Sequence, residues 1–422
     1  MNSQKIIPPL HSKLFWLLIL LLPTQLGFHF WPSFATVFGI RVDYLAPTVY
    51  LTDILVVGVI VTWWWEGRKV IVKLLHGYMA KISTIQPFNH ATIFFFITIF
   101  YLLITSLFVA HNSGAALYKL VKLIEFTLFG FYVFANYKLL ITNHNFFIPL
   151  SIALIYSSLI AWGQFALQHT LGGLFWFLGE RTFDANTPGI ALININGQDL
   201  LRPYATFPHP NVLAGFLLVA LILIPQKQKT IQPFNRLIIL LGLSAFILTF
   251  SHSAWIAGII VLLISGINYL RNKTNGLVKL ILAVVTIISL VLPSLNIPPN
   301  APTEIAQRMI LASASWEMFK DFPLTGVGLN NFIVRLPEYG SQPSVSWLLQ
   351  PVHNIYLLVL SETGVIGFAL FLWFIFKVIQ KFSVVLLVII LIGIADHYWL
   401  TLQQTQLFFS ILLGLALSKA HS

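Results

Sequence analysis

The residues best suited to chemistry lie in the last third of the chain. His353 and Asn354 stand at the mouth of an apolar run, and nine residues further on comes Gly364-Val365-Ile366-Gly367. An unperturbed imidazole titrates near pH 6.5 and nearby arginines lower that value, so His353 is expected to be neutral and competent as a general base at pH 7. Asn354 is placed to orient that imidazole or a substrate. Pro351 suits a helix start because its missing N–H costs nothing in the first turn. Gly364 and Gly367, about one turn apart, would leave a smooth face for close helix packing. The plainer alternative for His353 is an interfacial histidine that only caps a helix.

Arginines offer a second kind of chemistry. Arg308 falls in Glu304–Phe319, where Ile305, Met309, Ala312, Trp316 and Phe319 recur at near-helical spacing. It either pairs with Glu304 at i,i+4, worth about 0.3–0.5 kcal/mol, or clamps a phosphate, whose oxygens match a guanidinium bidentately. Arg202 opens the segment RPYATFPHPN, in which His209 and Asn211 follow in a turn stiffened by Pro208 and Pro210. It is a second clamp or an interfacial anchor for a helix end, and Arg181 in GERTF is a third cation of the same kind. Asp53, Glu125 and Glu362 fall inside apolar spans, where ionisable groups are costly and usually paired or functional. Lys119 or Lys122 would pair with Glu125, whereas Glu362 lies about 13 Å along the helix from His353, beyond direct contact. The chain has no Asp-x-Asp, no His-x-x-x-His and no Walker-type glycine loop. No metal, cofactor or nucleotide-sugar donor is therefore expected.

The elements that must position these groups are membrane helices. Of 422 residues, 58% are hydrophobic and 9% charged, against about a quarter charged in an ordinary soluble protein. We read an all-α, polytopic integral membrane protein, one membrane domain over residues 1–422, with about twelve spans of roughly bilayer length. The first runs over about Leu14–Phe30 and is read as an uncleaved helix. The others fall at about Thr48–Trp65, Ala91–Ala110, Leu117–Ile141, Phe146–Leu167, Asn211–Ile224, Leu237–Phe250, Ala254–Tyr269, Leu277–Leu292, Asn354–Phe376, Val384–Ile394 and Leu407–Leu417. The net charge of +11 is not a nucleic-acid signature, because most Lys and Arg crowd alternate loops, as the positive-inside rule requires. That asymmetry puts both termini in the cytoplasm and two long loops, 168–210 and 296–352, outside. Cysteine is absent, so thiol chemistry and disulfides are excluded.

His353-Asn354, nine residues and Gly-x-x-Gly resemble the signature of the O-antigen ligase family, which includes O-antigen polymerases and bacterial O-linked oligosaccharyltransferases. LRPYATFPHPNVLAGFL (Leu201–Leu217), SHSAWIAG (Ser251–Gly258) and the stretch from Arg308 through MFKDFPLTGVGLNNF are similar to that family's other landmarks. The resemblance covers most of the chain. One departure stands at Ser251–Trp255, where many members carry an arginine and this chain has His252. The resemblance implies a GT-C-like membrane glycosyltransferase of the inner membrane, taking a glycan from an undecaprenyl-pyrophosphate donor to a glycan, lipid-core or protein hydroxyl. In that scheme His353 is the base, Arg308, Arg202 and Arg181 hold the pyrophosphate, and Asn354, His209, Asn211, His252 and Glu362 support them. Ligase activity is the first expectation, with polymerase or protein transfer as alternatives. A secondary transporter would also have many spans and intramembrane acids, but the two unequal polar loops do not suit related halves.

Overall fold

In the computed structural model, residues 9–78, 90–224, 232–271, 303–339, 348–379 and 384–418 are described. The secondary structure is mainly helical, with three two-stranded ladders. Among the described residues two helices, His144–Leu167 and Ile355–Lys377, are long and apolar enough to cross a membrane, and other apolar helices are shorter. The expected span Leu277–Leu292, and the start of the 296–352 loop, lie outside the described residues.

The chain divides into two compact units. The first comprises Met1–Gly27, Val49–Asn89 and Phe129–Ser251. It holds α1 (Leu10–Leu20), α2 (Leu51–Tyr78), α5 (Ile148–Leu167), α6 (Pro210–Leu223) and α7 (Gln232–Leu248). The first expected span is too long by half: α1 stops at Leu20, before Pro23, which cannot donate a helical hydrogen bond. Phe15, Phe129, Tyr132 and Phe146 stack into an aromatic core beside α1. The 168–210 loop is itself ordered. An Asn196-Gly197 turn, with φ of 52° and 84°, joins the hairpin Leu192–Ile195 and Gln198–Leu201. The buried Glu180 carboxylate accepts from the backbone N–H of Leu171 and Gly172 and from Gln164 Nε2, each at 2.8 Å.

The second unit comprises Phe28–Thr48, His90–Leu128 and His252–Ser422. It contains α3 (His90–Phe108), α4 (Ser113–Ala135, which continues into the first unit), α8 (His252–Arg271), α9 (Thr303–Asp321), α10 (Phe332–Tyr339), α11 (Ile355–Ile379), α12 (Val384–Ile392) and α13 (Gln403–Ser418). The helix expected at Glu304–Phe319 in the loop before His353 is α9, and α10 is a second helix there. The small and apolar residues Leu311, Ala314 and Met318 of α9 and Phe332 and Leu336 of α10 bury against Ala35, Val37, Leu45 and Leu357. Within α4, Lys122 pairs with Glu125 at 2.7 Å. In the first unit the Asp53 carboxylate accepts from the Tyr50 N–H at 2.9 Å, closing the start of α2.

The Gly-x-x-Gly element differs from expectation. α11 does not run smoothly through Gly364, which has φ 60° and ψ −171° and splits the helix in two. Breaking a helix inside an apolar span frees backbone groups that cannot be left unpaired. Here the segment Pro323–Gly328 pairs them: Val365 N–H donates to Pro323 O at 2.8 Å, Val327 N–H to Ser361 O at 2.9 Å and Gly328 N–H to Glu362 O at 3.0 Å. The Tyr101 hydroxyl donates to Thr363 O. A Cβ on Gly364 would fall 2.3 Å from the Leu324 carbonyl carbon, and one on Gly326 2.4 Å from that of Glu362, so two glycines admit the two backbones to each other.

Gly364→Ala combines a backbone conformation essentially reserved for glycine with a backbone overlap, and should destabilise by about 3 kcal/mol or more. Gly58→Ala in α2, whose Cβ would meet only Leu14 Cδ1 at 3.5 Å, should be neutral or mildly stabilising. Thermal unfolding of the two purified variants beside the wild type in one detergent measures the difference.

Candidate functional site

The site is built around a turn that no motif marks. Gly393–His397 joins α12 to the helical turn Tyr398–Thr401, and each of its five residues is held by a side chain or backbone group from elsewhere in the second unit. Ile355 N–H, in the first turn of α11, donates to Gly393 O at 2.8 Å. Asn354 Nδ2 donates to Ile394 O at 3.0 Å. Arg308 Nη1 donates to Ala395 O. Ser253 Oγ donates to Asp396 Oδ2 at 2.8 Å. The His353 and His397 rings meet edge to face, 5.1 Å between centroids.

Asn354 is the cap of α11. Its Oδ1 accepts from the N–H groups of Tyr356 and Leu357 at 2.9 and 3.0 Å, the pattern that satisfies otherwise orphaned donors of a first helical turn. With its amide nitrogen on Ile394 O, Asn354 is committed to the backbone at both ends. It therefore fixes where His353 stands and does not orient the imidazole by touching it. Capping, the plain alternative considered for His353, falls to its neighbour.

His353 is half-buried, with Nδ1 shielded and without a hydrogen-bond partner. Burial, and then the positive charge of Arg308, push its pKa down to about 3. The imidazole is neutral at pH 7, as the sequence suggested, with burial rather than the arginine as the larger cause.

Arg308 keeps its expected partner Glu304 and has a second one that was not foreseen. Nη2 pairs with Glu304 at 2.9 Å on an exposed edge of α9, and Nη1 reaches the turn at Ala395. A surface ion pair of this kind is weak, so an incoming phosphate can compete for it. Glu362 is buried beside the helix break, where Oε1 accepts from Phe332 N–H at 3.3 Å; it serves the Gly328–Phe332 segment, and its backbone carbonyl is part of the loop pairing. His252 is exposed and contacts the Trp255 ring. At this junction the next residue, Ser253, makes the contact to the turn.

The remaining candidates belong to the first unit and form a separate group. Arg202 is buried, with Nε donating to Thr249 O at 2.8 Å and Nη2 to Asn211 Oδ1 at 2.6 Å. Its guanidinium is a strut between α6 and the end of α7, which fits the helix-end anchor of the two readings that the sequence offered. His209 caps α6 by accepting Asn211 N–H at Nδ1, 3.2 Å. Arg181 is exposed, donates to Pro208 O at 2.8 Å and lies over the Phe183 and Tyr204 rings.

Asp396 and His397 are the residues that sequence reasoning missed. The signal was an Ala-Asp-His-Tyr-Trp cluster dividing two short apolar runs, which reads most simply as a loop. Among the described residues no three His, Asp or Glu side chains converge as a metal cluster.

Residues 237–372 match a family model described as O-antigen ligase. The matched region includes His353, Asn354, Arg308 and the whole Gly364–Gly367 element. No curated protein matches the chain.

Two outcomes follow for this site. Asn354→Ala should cost about 1–2 kcal/mol, the usual worth of a lost cap, read as a lower thermal midpoint. The unfolded chain takes up a proton on His353 near pH 6.5 but the folded site does so only near pH 3, so stability should fall as pH drops through that window. His353→Gln should flatten part of that fall, which thermal unfolding between about pH 7 and pH 4 would reveal.

Proposed function

Since this chain carries an O-antigen ligase domain over residues 237–372, we propose that it is a membrane glycosyltransferase of the ligase type. It transfers a glycan from an undecaprenyl-pyrophosphate carrier to an acceptor hydroxyl at the outer face of the cytoplasmic membrane, within a twelve-span, GT-C-like frame. The acceptor is a lipid core; polymerisation of repeat units and transfer to a protein hydroxyl are the alternatives within the family.

The observation that carries this reading is the meeting of Arg308 and His353 at the Gly393–His397 turn. A neutral imidazole beside a permanent cation suits a displacement in which one group accepts a proton while the other stabilises a departing pyrophosphate. The acceptor oxygen bonds to the anomeric carbon, the bond from that carbon to the pyrophosphate oxygen breaks, and its electron pair leaves with the phosphate. His353 takes the hydroxyl proton. Arg308 exchanges Glu304 for phosphate oxygens, Asn354 positions the base, and Arg181 is an exposed cation of the first unit. Neither step calls for a metal.

The break in α11 favours one other reading, because discontinuous helices line the sites of many secondary transporters. Here the freed backbone groups are taken up by Pro323–Gly328 and Tyr101, which favours a static role for the break. Vesicles holding the protein but no lipid-linked glycan should show no solute flux above empty vesicles.

Purified protein in detergent, given undecaprenyl-pyrophosphate-linked glycan and an acceptor panel with EDTA present, should transfer glycan. His353→Ala should lose about 10²–10⁴-fold in kcat. Arg308→Ala should lose about 10²-fold or more, with Arg308→Lys intermediate because ammonium keeps charge without the fork. Full activity in folded His353→Ala would sink the assignment of the base, and the product identifies the acceptor class.

A further inference from the structure

The Gly393–His397 turn carries a residue that the proposed reaction has not used. We propose that His397 is the proton-relay partner of His353, receiving at Nε2 the proton that His353 releases from Nδ1. This deepens the general-base reading and rests on it.

Three observations support the pairing. His353 Nδ1 is shielded and has no hydrogen-bond partner, an uncommon state for a buried ring nitrogen. The ring in edge-to-face contact with the His353 ring is His397, at 5.1 Å between centroids and 66°. The relay requires a χ2 rotation that turns two nitrogens towards each other, and such torsions are soft.

The third observation is the tautomer of His397. Its Nδ1 lies 2.7 Å from Thr401 Oγ1, and that hydroxyl donates its one hydrogen to His397 O at 3.2 Å. With its hydrogen placed there, Thr401 accepts from Nδ1–H, the tautomer in which Nε2 is the basic nitrogen of His397. The Tyr44 ring also meets this imidazole edge to face, 5.6 Å between centroids.

Surrounding charges fit the direction of transfer. Arg308 disfavours a cation on His353. Asp396, adjacent in sequence and bonded by Ser253, supplies a carboxylate next to His397, and Tyr44 and Tyr398 are further titratable neighbours. A proton held on His353 alone would sit in a buried site next to a guanidinium, whereas one passed to His397 would sit beside Asp396.

The balance is simple. His353 begins with its hydrogen on Nδ1 and takes the acceptor proton on Nε2. It passes the Nδ1 hydrogen to His397 Nε2, so His353 ends neutral and His397 ends as the imidazolium, with Nδ1–H still on Thr401. The anomeric bond changes are those already described; once product has left, His397 returns its Nε2 proton to His353 Nδ1 and His353 releases its Nε2 proton to solvent, which restores both starting tautomers.

The test uses the full-length protein in the glycan-transfer assay. His397→Phe keeps a ring of similar packing and removes both nitrogens; kcat should fall about tenfold or more with KM little changed. His397→Ala should be equally slow and regain rate on adding imidazole. Thr401→Val, which frees the His397 tautomer, should shift the pH–rate profile without the same loss.

If His353→Ala is inactive while His397→Phe keeps the wild-type rate, the relay is wrong and the general-base reading stands. A slow His397→Ala that imidazole does not rescue makes His397 a packing residue and also overturns the relay. Activity in His353→Ala would remove the base reading, and the relay with it.

Discussion

Three consecutive backbone carbonyls, those of Gly393, Ile394 and Ala395, anchor the second unit. They accept respectively from the first turn of α11, from its cap Asn354 and from Arg308 of α9. Carbonyls at the end of a helix are left without intrahelical donors, and α12 ends at Ile392. The need to satisfy these acceptors away from water thus fixes the partners. Two elements distant in sequence are drawn to one point by an elementary hydrogen-bond requirement, and the pair of groups best suited to chemistry arrives with them.

Electrostatics give that point its character. A histidine placed among apolar neighbours is driven towards its neutral form, and a guanidinium alongside drives it further. Arg308 has as partners a carbonyl and a carboxylate on an exposed edge. The arginines of the first unit show the opposite solution. Arg202 is buried and satisfied by Thr249 O and Asn211, and a cation so engaged is part of the fold.

Much of this was legible in the sequence. Apolar runs of helical length located most helices, and residue type together with the resemblance to the O-antigen ligase signature drew attention to His353, Asn354 and Arg308. The helical spacing of Ile305, Met309, Ala312, Trp316 and Phe319 marked α9. What failed did so for physical reasons. Proline ended α1 early because hydropathy alone does not count donors. Gly364 was read as a packing residue because a positive φ leaves no trace in composition. Arg202 looked like Arg308, since the burial that separates them comes from Asn211 and Thr249, one of them far along the chain. Asp396 and His397 went unnoticed because their partners lie some 40 to 140 residues away.

The segment Pro323–Gly328, laid into the break of α11, gives this region the mechanics of a truss. α9 runs directly into that segment, so it is tied to α11 at the break, again where Ser315 Oγ donates to Leu357 O, and a third time through the carbonyls after α12. Two beams joined at three points resist sliding or hinging past each other. A reaction run from Arg308 and His353 would meet its donor with both groups already in register, the preorganised condition that keeps reorganisation out of the barrier. Adaptation to glycans of different size would then fall to parts of the chain outside the truss, so acceptor range and catalytic power could vary independently.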